Sequence, residues 1–190
     1  MFVVKKKYYL IIESIKDINL DKIKKINKFS IIYRNLDKFD KKTELLRFRK
    51  ICKLKSIDFY VANNLNLAAL LNSDGVYLSS HNKSFKALCL KKSNFRIIGS
   101  AHTHKEIYTK VKQGCEKIIF SKLFLVNYNK NAPFLGIIKF NLFLKNFRNL
   151  IPLGGIHLNN LNSLKLIKCN GFAMMSEIKK KPTKIISRLF

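Results

Sequence analysis

Two turns in the last quarter of the sequence contain the residues best suited to binding a phosphate group. Gly154-Gly155 follows an apolar run at 149–153, and a pair of glycines lets backbone N–H groups approach an anion closely. Ser176 follows a second apolar run, at 172–174, and would place its hydroxyl and free N–H groups at the start of a helix. Each turn alone is a weak signal, but together they predict one phosphate site formed by two loops.

The elements that must position these turns are short apolar runs alternating with longer helical stretches. We interpret the apolar runs as strands at Tyr8–Ile12, Phe29–Tyr33, Ile57–Val61, Val76–Leu78, Arg96–Ser100, Lys117–Phe120, Asn149–Leu153 and Phe172–Met174. Helices are predicted at Leu20–Lys28, Lys41–Leu54 and Asn64–Leu71, and a capping box from Thr103 to Glu106 predicts another.

This alternation predicts a parallel sheet whose strands are covered on both faces. Eight β/α units fit within 190 residues, so we expect a single α/β domain over residues 1–190, a compact (β/α)8 TIM barrel with some shortened helices. Residues 179–190 are expected to form a basic tail. A doubly wound open sheet is the structural alternative. In a barrel, the functional site is expected at the C-terminal ends of the strands. The turn at Gly154-Gly155 and the turn at Ser176 would both lie there.

The charge of the chain raises the question of nucleic acid binding. Lysine and arginine total 38 against 11 acidic residues, for a net charge of +27. Lysine greatly outnumbers arginine and is spread along the chain, whereas phosphate clamping and base readout favour the planar fork of arginine. Solvated lysine surfaces are therefore the preferred interpretation, and polyanion binding remains open because it needs only charge.

Several other classes of site and location are disfavoured by the sequence. No uncharged apolar stretch is long enough to span a membrane, and the apolar run after Lys7 is too short for a signal peptide, so a cytoplasmic location is expected. The four cysteines show no CxxC spacing, which predicts reduced and mostly buried thiols. His102 and His104 resemble a metal pair, but a third ligand is not evident and the capping box explains this segment better.

Four segments of the C-terminal half share the pattern of a known family: Ile98–Thr103, Gly114–Phe124, Pro152–Ile156 and Gly171–Ser176. With matching segments at Tyr33-Arg34, Asn63-Asn64 and Asp74–Leu78, they resemble thiamine-phosphate synthase and its TenI-type thiazole tautomerase relatives. The resemblance covers nearly the whole chain in order. It implies a role in thiamine biosynthesis, in which the synthase joins a pyrimidine diphosphate to a thiazole phosphate and releases pyrophosphate.

The resemblance assigns three residues to the pyrophosphate side of the site. Arg34 matches the family arginine that contacts the pyrophosphate, Asn63 matches the asparagine beside it, and Ser100 matches a serine near the same group. The synthase has glutamine and lysine flanking its arginine, whereas this chain has Ile32 and Leu36.

The same comparison assigns the thiazole side and the catalytic lysines. Gly155, Met175 and Ser176 match the cradle for thiazole phosphate, and Lys130 matches a lysine after the sixth strand with a shift of one residue. The tautomerase branch lacks the metal and uses a histidine where this chain has Lys122. That lysine is expected either to transfer a proton or to act as a permanent cation.

The magnesium site of the synthase is the main point of departure. Its two aspartates fall on Asn64 and Asn82, and a neutral amide is a poor replacement for a carboxylate at Mg²⁺. No metal ligands are therefore assigned, although Mg²⁺ stays possible as a cofactor. Four functions stay open: synthase, metal-independent tautomerase, catalytically idle relative that binds thiazole or thiamine phosphate, and polyanion-binding protein. The sequence leaves the oligomeric state undetermined.

Overall fold

The computed structural model describes residues 7–22, 28–35, 40–93, 95–126 and 131–175. Eight parallel strands form one sheet in the order β7-β6-β5-β4-β3-β2-β1-β8. Their bounds are β1 Lys7–Ile12, β2 Phe29–Tyr33, β3 Asp58–Ala62, β4 Gly75–Leu78, β5 Arg96–Ala101, β6 Lys117–Ser121, β7 Leu150–Leu153 and β8 Gly171–Met174. The sheet curves until β7 contacts β8, although no hydrogen-bonded ladder joins these two described strands. The result is a nearly closed TIM barrel.

Helices of different lengths connect the strands on the outside of the barrel. The α-helices of the described residues are α1 Lys42–Leu54, α2 Leu65–Leu70, α3 His104–Lys112 and α4 Gly136–Asn146. Shorter 3₁₀ segments lie at Ile15–Asp17, Leu20–Lys22, Lys86–Ser93 and Leu158–Leu166. The expectation of a barrel with shortened helices is therefore confirmed. None of the helices in the described part of the chain is both long and apolar enough to cross a bilayer.

Alternating side chains along the strands divide the core into two layers, as the two-residue period of a strand requires. One cluster fills the barrel interior and contains Tyr9, Ile11, Ile32, Tyr60, Tyr77, Ile98, Ile119, Ile151 and Ala173. The larger cluster packs between the sheet and the helices and includes Tyr8, Phe29, Phe59, Phe120, Phe140 and Phe172. Because every strand is covered on both faces, the strands are apolar throughout.

The strand predictions agree with the structure to within one residue at each end. The predicted helix at Leu20–Lys28 is only partly supported, because Leu20–Lys22 is a 3₁₀ turn and residues 23–27 lie outside the described residues. The capping box is confirmed, since Thr103 Oγ1 accepts from the Glu106 N–H at 3.3 Å and Glu106 Oε2 accepts from the Thr103 N–H at 3.3 Å. All four cysteines are free thiols, but Cys89 is exposed, contrary to the general expectation of burial.

The N-terminal end of the barrel is closed by an ion-pair network around Asp58. Its carboxylate accepts from Lys7 Nζ at 2.7 Å, Arg96 Nη2 at 2.6 Å and Ser30 Oγ at 3.2 Å. The guanidinium of Arg96 also lies over the ring of Tyr60, 5.6 Å from its centroid. This end of the barrel therefore contains paired charges that hold β1, β2, β3 and β5 together.

Candidate functional site

The turn after β7 has the backbone conformation that its glycines allow. Gly154 has φ of 99° and Gly155 has φ of 65°, a region that side chains with a Cβ rarely adopt. The turn also packs closely on the loop after β6. A Cβ on Gly154 would lie 3.2 Å from the Cα of Lys122, and one on Gly155 would collide with the backbone of Phe124 and Leu125. Both glycines are required by conformation and by space.

Hydrogen bonds to carbonyl oxygens fix the shape of this turn. The Gly154 oxygen accepts from the Phe124 N–H at 3.0 Å, and the Gly155 oxygen accepts from Asn160 Nδ2 at 2.7 Å. Within the described residues, the N–H groups of Gly154 and Gly155 have no acceptor. A rigid turn with unused donors at the C-terminal end of a barrel strand is suited to binding an anion.

Arg34 and Ser100 lie at the C-terminal ends of β2 and β5, and both influence Tyr77 of β4. Both follow the inward-facing residue of their strand by two positions, which places them on the same face. Burial raises the pKa of the Tyr77 hydroxyl, whereas a hydrogen bond with Ser100 and the charge of Arg34 act in the opposite direction. The structure thus relates two sequence-predicted residues to Tyr77, whose inward position follows only from the strand register.

Four asparagines line a cavity of about 350 Å³ beside the mouth, at the ends of β3 and β4. The cavity wall consists of Asn63, Asn64, Leu65, Asn66, Leu78, Asn82, Ser84, Lys86 and Ala87. Its volume lies in the range of roughly 300–1,000 Å³ typical of small-molecule sites. The three asparagines assigned from sequence, Asn63, Asn64 and Asn82, therefore lie in the wall of the same cavity.

The amide oxygens of these asparagines are already used as acceptors. Asn63 Oδ1 accepts from the Ser79 N–H at 3.0 Å and from Asn82 Nδ2 at 3.0 Å. Asn64 Oδ1 accepts from the Leu67 N–H at 2.9 Å and so caps α2. Asn82 Oδ1 accepts from the N–H of the residue two positions later at 2.9 Å.

This donor set does not fit a magnesium ion. Mg²⁺ requires oxygen ligands, usually with at least one carboxylate, in nearly octahedral geometry. Here the family's metal positions are neutral, and each amide oxygen is held by a backbone N–H that fixes which end of the amide is oxygen. No group of three or more histidine, cysteine or acidic side chains suited to a metal occurs among the described residues.

A buried lysine lies directly behind the wall of this cavity. Lys110 of α3 is fully buried, and its Nζ donates to the Asn82 carbonyl at 2.7 Å and to Gln113 Oε1 at 2.9 Å. Gln113, also fully buried, donates to the carbonyls of Asn82 and Ser84 at 3.0 and 2.8 Å. Burial lowers the pKa of Lys110, while the charges of Cys115 and Glu106 oppose that effect. The sequence contained no signal for this contact, because Lys110 is one of many helical lysines.

His102 and His104 have different surroundings in the structure. His102 Nδ1 lies 2.8 Å from Ser121 Oγ, so the two residues form a hydrogen-bonded pair at the ends of β5 and β6. His104 instead packs edge-on against Tyr108 and Phe147 on the outside of the barrel. The pair that could have suggested a metal site is therefore separated, and Ser121 is a site residue that sequence reasoning missed.

The remaining predicted residues are distributed as follows. Lys122 is half-buried beside Gly154, and Met175 packs on the interior cluster after β8. Lys130, Leu36, Ser176 and the tail at 179–190 lie outside the described residues. The described part of the mouth thus has the Gly154-Gly155 turn after β7 and an amide-lined cavity at the ends of β3 and β4.

TIM barrels commonly bind phosphate groups in the loops after their last strands, and the Gly154-Gly155 turn lies in the loop after β7. The model of the family described as thiamine monophosphate synthase matches residues 10–178. The chain therefore belongs to the thiamine-phosphate synthase/TenI family, and its place in thiamine biosynthesis follows from that membership.

Individual relatives show the same family at low identity. A thiamine-phosphate synthase of Prochlorococcus marinus subsp. pastoris is 32% identical over 126 residues, which are 64% of this chain but 35% of that protein. The enzyme of that name from Flavobacterium psychrophilum is 26% identical over 151 residues, 74% of this chain and 73% of the relative. The chain thus spans about a third of the first relative's length.

Solved structures with similar folds include a thiamine phosphate pyrophosphorylase from Pyrococcus furiosus. It aligns with a TM-score of 0.70 and 16% identity, covering 99% of this chain and 98% of that one. A 4-hydroxy-2-oxoglutarate aldolase aligns with a TM-score of 0.65 and 12% identity. At such identities these likenesses establish the barrel fold, which enzymes of different activities share.

Proposed function

We propose that this chain is an enzyme that binds a phosphorylated thiazole in the barrel mouth and couples it to a pyrimidine diphosphate, releasing pyrophosphate. The observation that carries the proposal is the rigid Gly154-Gly155 turn, whose two N–H groups lack acceptors within the described residues. An anion there would receive preorganised donors without any rearrangement of the turn. Ser176 and Met175, which follow β8, are proposed to complete the cradle, and residues 1–190 to act as one domain.

The opposite side of the mouth supports binding of the diphosphate. Arg34 supplies a guanidinium whose fork matches a phosphate, and Ser100 shares a hydrogen bond with Tyr77, which also senses the charge of Arg34. Asn63 contributes an amide nitrogen that has no acceptor among the described residues. Positive charge and donors there would stabilise the negative charge that develops on a departing pyrophosphate. Lys130 is proposed to assist from the loop after β6.

Thiazole phosphate is expected to bind the parent protein, and Ser176→Asp is expected to weaken that binding by at least about tenfold. The physical reason is repulsion between the new carboxylate and the phosphate in the cradle. Isothermal titration calorimetry measures both affinities. Asn146→Asp adds the same charge at the exposed end of α4, at the opposite end of the barrel, and should leave affinity unchanged. Absence of binding by the parent protein would contradict the proposal.

The coupling reaction is tested by supplying both substrates, with Mg²⁺ or with a chelator, and measuring thiamine phosphate. Product formation supports the synthase reaction. If thiazole phosphate binds but neither thiamine phosphate nor tautomer exchange of the carboxylated thiazole is observed, the chain is the catalytically idle relative. If affinity depends only on ionic strength and not on Ser176, the chain is a general polyanion binder.

A second candidate function, thiazole tautomerase, is favoured by the contact between His102 and Ser121. Histidine is the side chain that most often transfers protons in enzymes, and this one contacts Ser121, the residue before Lys122. Tautomerisation moves one proton from one carbon of the carboxylated thiazole to another and needs no metal. Lys122 is proposed to act as a second proton carrier or as a fixed cation next to the phosphate turn.

In tautomer exchange of the carboxylated thiazole, His102→Ala is expected to lower the rate by about 100-fold, because general acid–base groups contribute that order of effect. Ser121→Ala should have a smaller effect, since it leaves the imidazole in place but removes its hydrogen-bonding partner. NMR spectroscopy of the two tautomers measures the rate. His104→Ala is the matched control, because that ring lies outside the barrel. Equal rates in all three variants would exclude the histidine from proton transfer.

A further inference from the structure

We propose that the asparagine-lined cavity binds a diphosphate anion directly, without a divalent cation, and that buried Lys110 is its positioning residue. This inference rests on the proposed function, in which a diphosphate occupies that side of the mouth. It starts from the disagreement between the family's magnesium requirement and the side chains that stand at the metal positions, Asn64 and Asn82.

The polarity of the cavity is opposite to that of a cation site. The oxygens of Asn63, Asn64 and Asn82 each accept from a backbone donor, which weakens them as ligands for a metal. The nitrogens of Asn63 and Asn64 have no acceptor within the described residues. Because these two exposed side chains line the cavity, they provide donors, which an anion requires and a cation cannot use.

Two lysines supply positive charge from different directions. Lys86, an exposed residue, lines the cavity itself. Lys110 lies behind the wall, where both partners of its Nζ are acceptor oxygens, as an ammonium group requires. In a dry interior such a charge is screened less than one at the surface. It therefore favours an anion on the other side of a single loop.

Lys110 and Gln113 also determine where the cavity wall lies. Together they hold the carbonyls of Asn82 and Ser84 through three of the hydrogen bonds between α3 and the β4 loop. The side chain of Lys110 reaches that loop by crossing Gly99, where a Cβ would lie 2.9 Å from its Cδ. The loop in turn places Asn82 Nδ2 on Asn63 Oδ1 and so orients the free amide nitrogen of Asn63.

The test measures inorganic pyrophosphate binding by calorimetry at one ionic strength, with Mg²⁺ or with a strong chelator. The intact chain is expected to bind with chelator present at an affinity within about threefold of that with Mg²⁺. Lys86→Met and Lys110→Met are each expected to weaken binding roughly tenfold, as for loss of one charge close to a phosphate. Lys83→Met, an exposed lysine of the same loop outside the cavity wall, should change affinity less than about twofold.

Asn64→Asp provides a variant that keeps the fold. Aspartate caps a helix as well as asparagine does, so α2 and the melting temperature should be unaffected. The new carboxylate faces the cavity and is expected to weaken chelator-resistant binding by at least about tenfold. This variant tests whether the cavity binds the anion directly, even if Lys110→Met fails to fold.

Three results would overturn the inference. They are pyrophosphate binding that requires Mg²⁺, equal losses in Lys86→Met and Lys83→Met, and unchanged affinity in a folded Lys110→Met or in Asn64→Asp. Binding of thiazole phosphate, titrated on the same samples, is independent of this cavity. Its presence alongside a failed pyrophosphate test would leave the proposed function standing, whereas its absence would count against the proposed function itself.

Discussion

Gly155→Ala is expected to lower the free energy of unfolding by about 3 kcal/mol and to abolish thiazole phosphate binding. Two costs combine. The residue has φ of 65°, which is unfavourable for any side chain with a Cβ. The added methyl group would also lie 2.7 Å from the carbonyl carbon and Cβ of Phe124 and would overlap the Leu125 oxygen. Because these are largely backbone atoms, the turn itself must move, and with it the two N–H donors.

Gly136→Ala separates the two costs. Gly136 has φ of 69°, nearly the same as Gly155, but a Cβ there would have no neighbour within 4 Å. It should therefore lose only the conformational part, about 1–2 kcal/mol, and retain binding. Urea denaturation gives the stabilities and calorimetry gives the affinity. Equal stability losses in the two variants, or full binding by Gly155→Ala, would contradict the close packing of the turn.

Asp58→Asn is expected to lower the free energy of unfolding by about 2 kcal/mol at neutral pH, allowing for the partial exposure of its partners. The Asp58 side chain is 19% exposed, while those of Lys7 and Arg96 are 27% and 40% exposed. Removing the carboxylate leaves two cations at one end of the barrel without their shared counterion. The loss is measured by chemical denaturation.

The effect of this substitution should depend on pH. Burial alone would raise the pKa of Asp58, but hydrogen bonds and charges from Arg96 and Lys7 outweigh it and hold the pKa below its usual value. A carboxyl group with a lowered pKa stabilises the fold above its unfolded pKa of about 4, and that stability is lost as pH falls through the folded pKa. The difference between the parent and Asp58→Asn should therefore shrink in acid.

An exposed carboxylate serves as the control for Asp58. Asp21→Asn removes a charge that makes no ion pair among the described residues and should change stability by less than about 0.5 kcal/mol. A difference between the parent and Asp58→Asn that stays constant from neutral to acid pH would show that the carboxylate is not held in its charged form by the two cations.

The strands could be predicted from the sequence because burial on both faces leaves a plain signal. Phe29–Tyr33 is apolar at four of five positions, and the structure places it between two other buried strands. The connections gave weaker signals. Leu20–Lys28 has helical spacing, yet Leu20–Lys22 is a 3₁₀ turn. The strand predicted at Val76–Leu78 begins one residue earlier, at Gly75, where a Cβ would collide with the Arg96 backbone.

The candidate site was predictable where the information is local. Gly154-Gly155 combines conformation and anion binding within one turn, so its residue types reveal its role. Lys110 could not be predicted, because its importance depends on a contact with a loop 28 residues away. The pairing of His102 with Ser121 likewise depends on the order of β5 and β6 in the barrel. Such contacts follow from the fold rather than from residue spacing.

The absence of a ladder between the described strands β7 and β8 gives the Gly154-Gly155 turn a second significance. These two edges of the sheet touch without a hydrogen-bonded ladder between their described residues, and Gly155 and Met175 follow β7 and β8 on opposite sides of that junction. A ligand that contacts both Gly155 and Met175 would link β7 to β8. The free energy of ligand binding would then also stabilise the closed barrel, since a ligand that binds only the folded state stabilises it. The bound substrate would therefore stabilise the closed form of the barrel at the site where it binds.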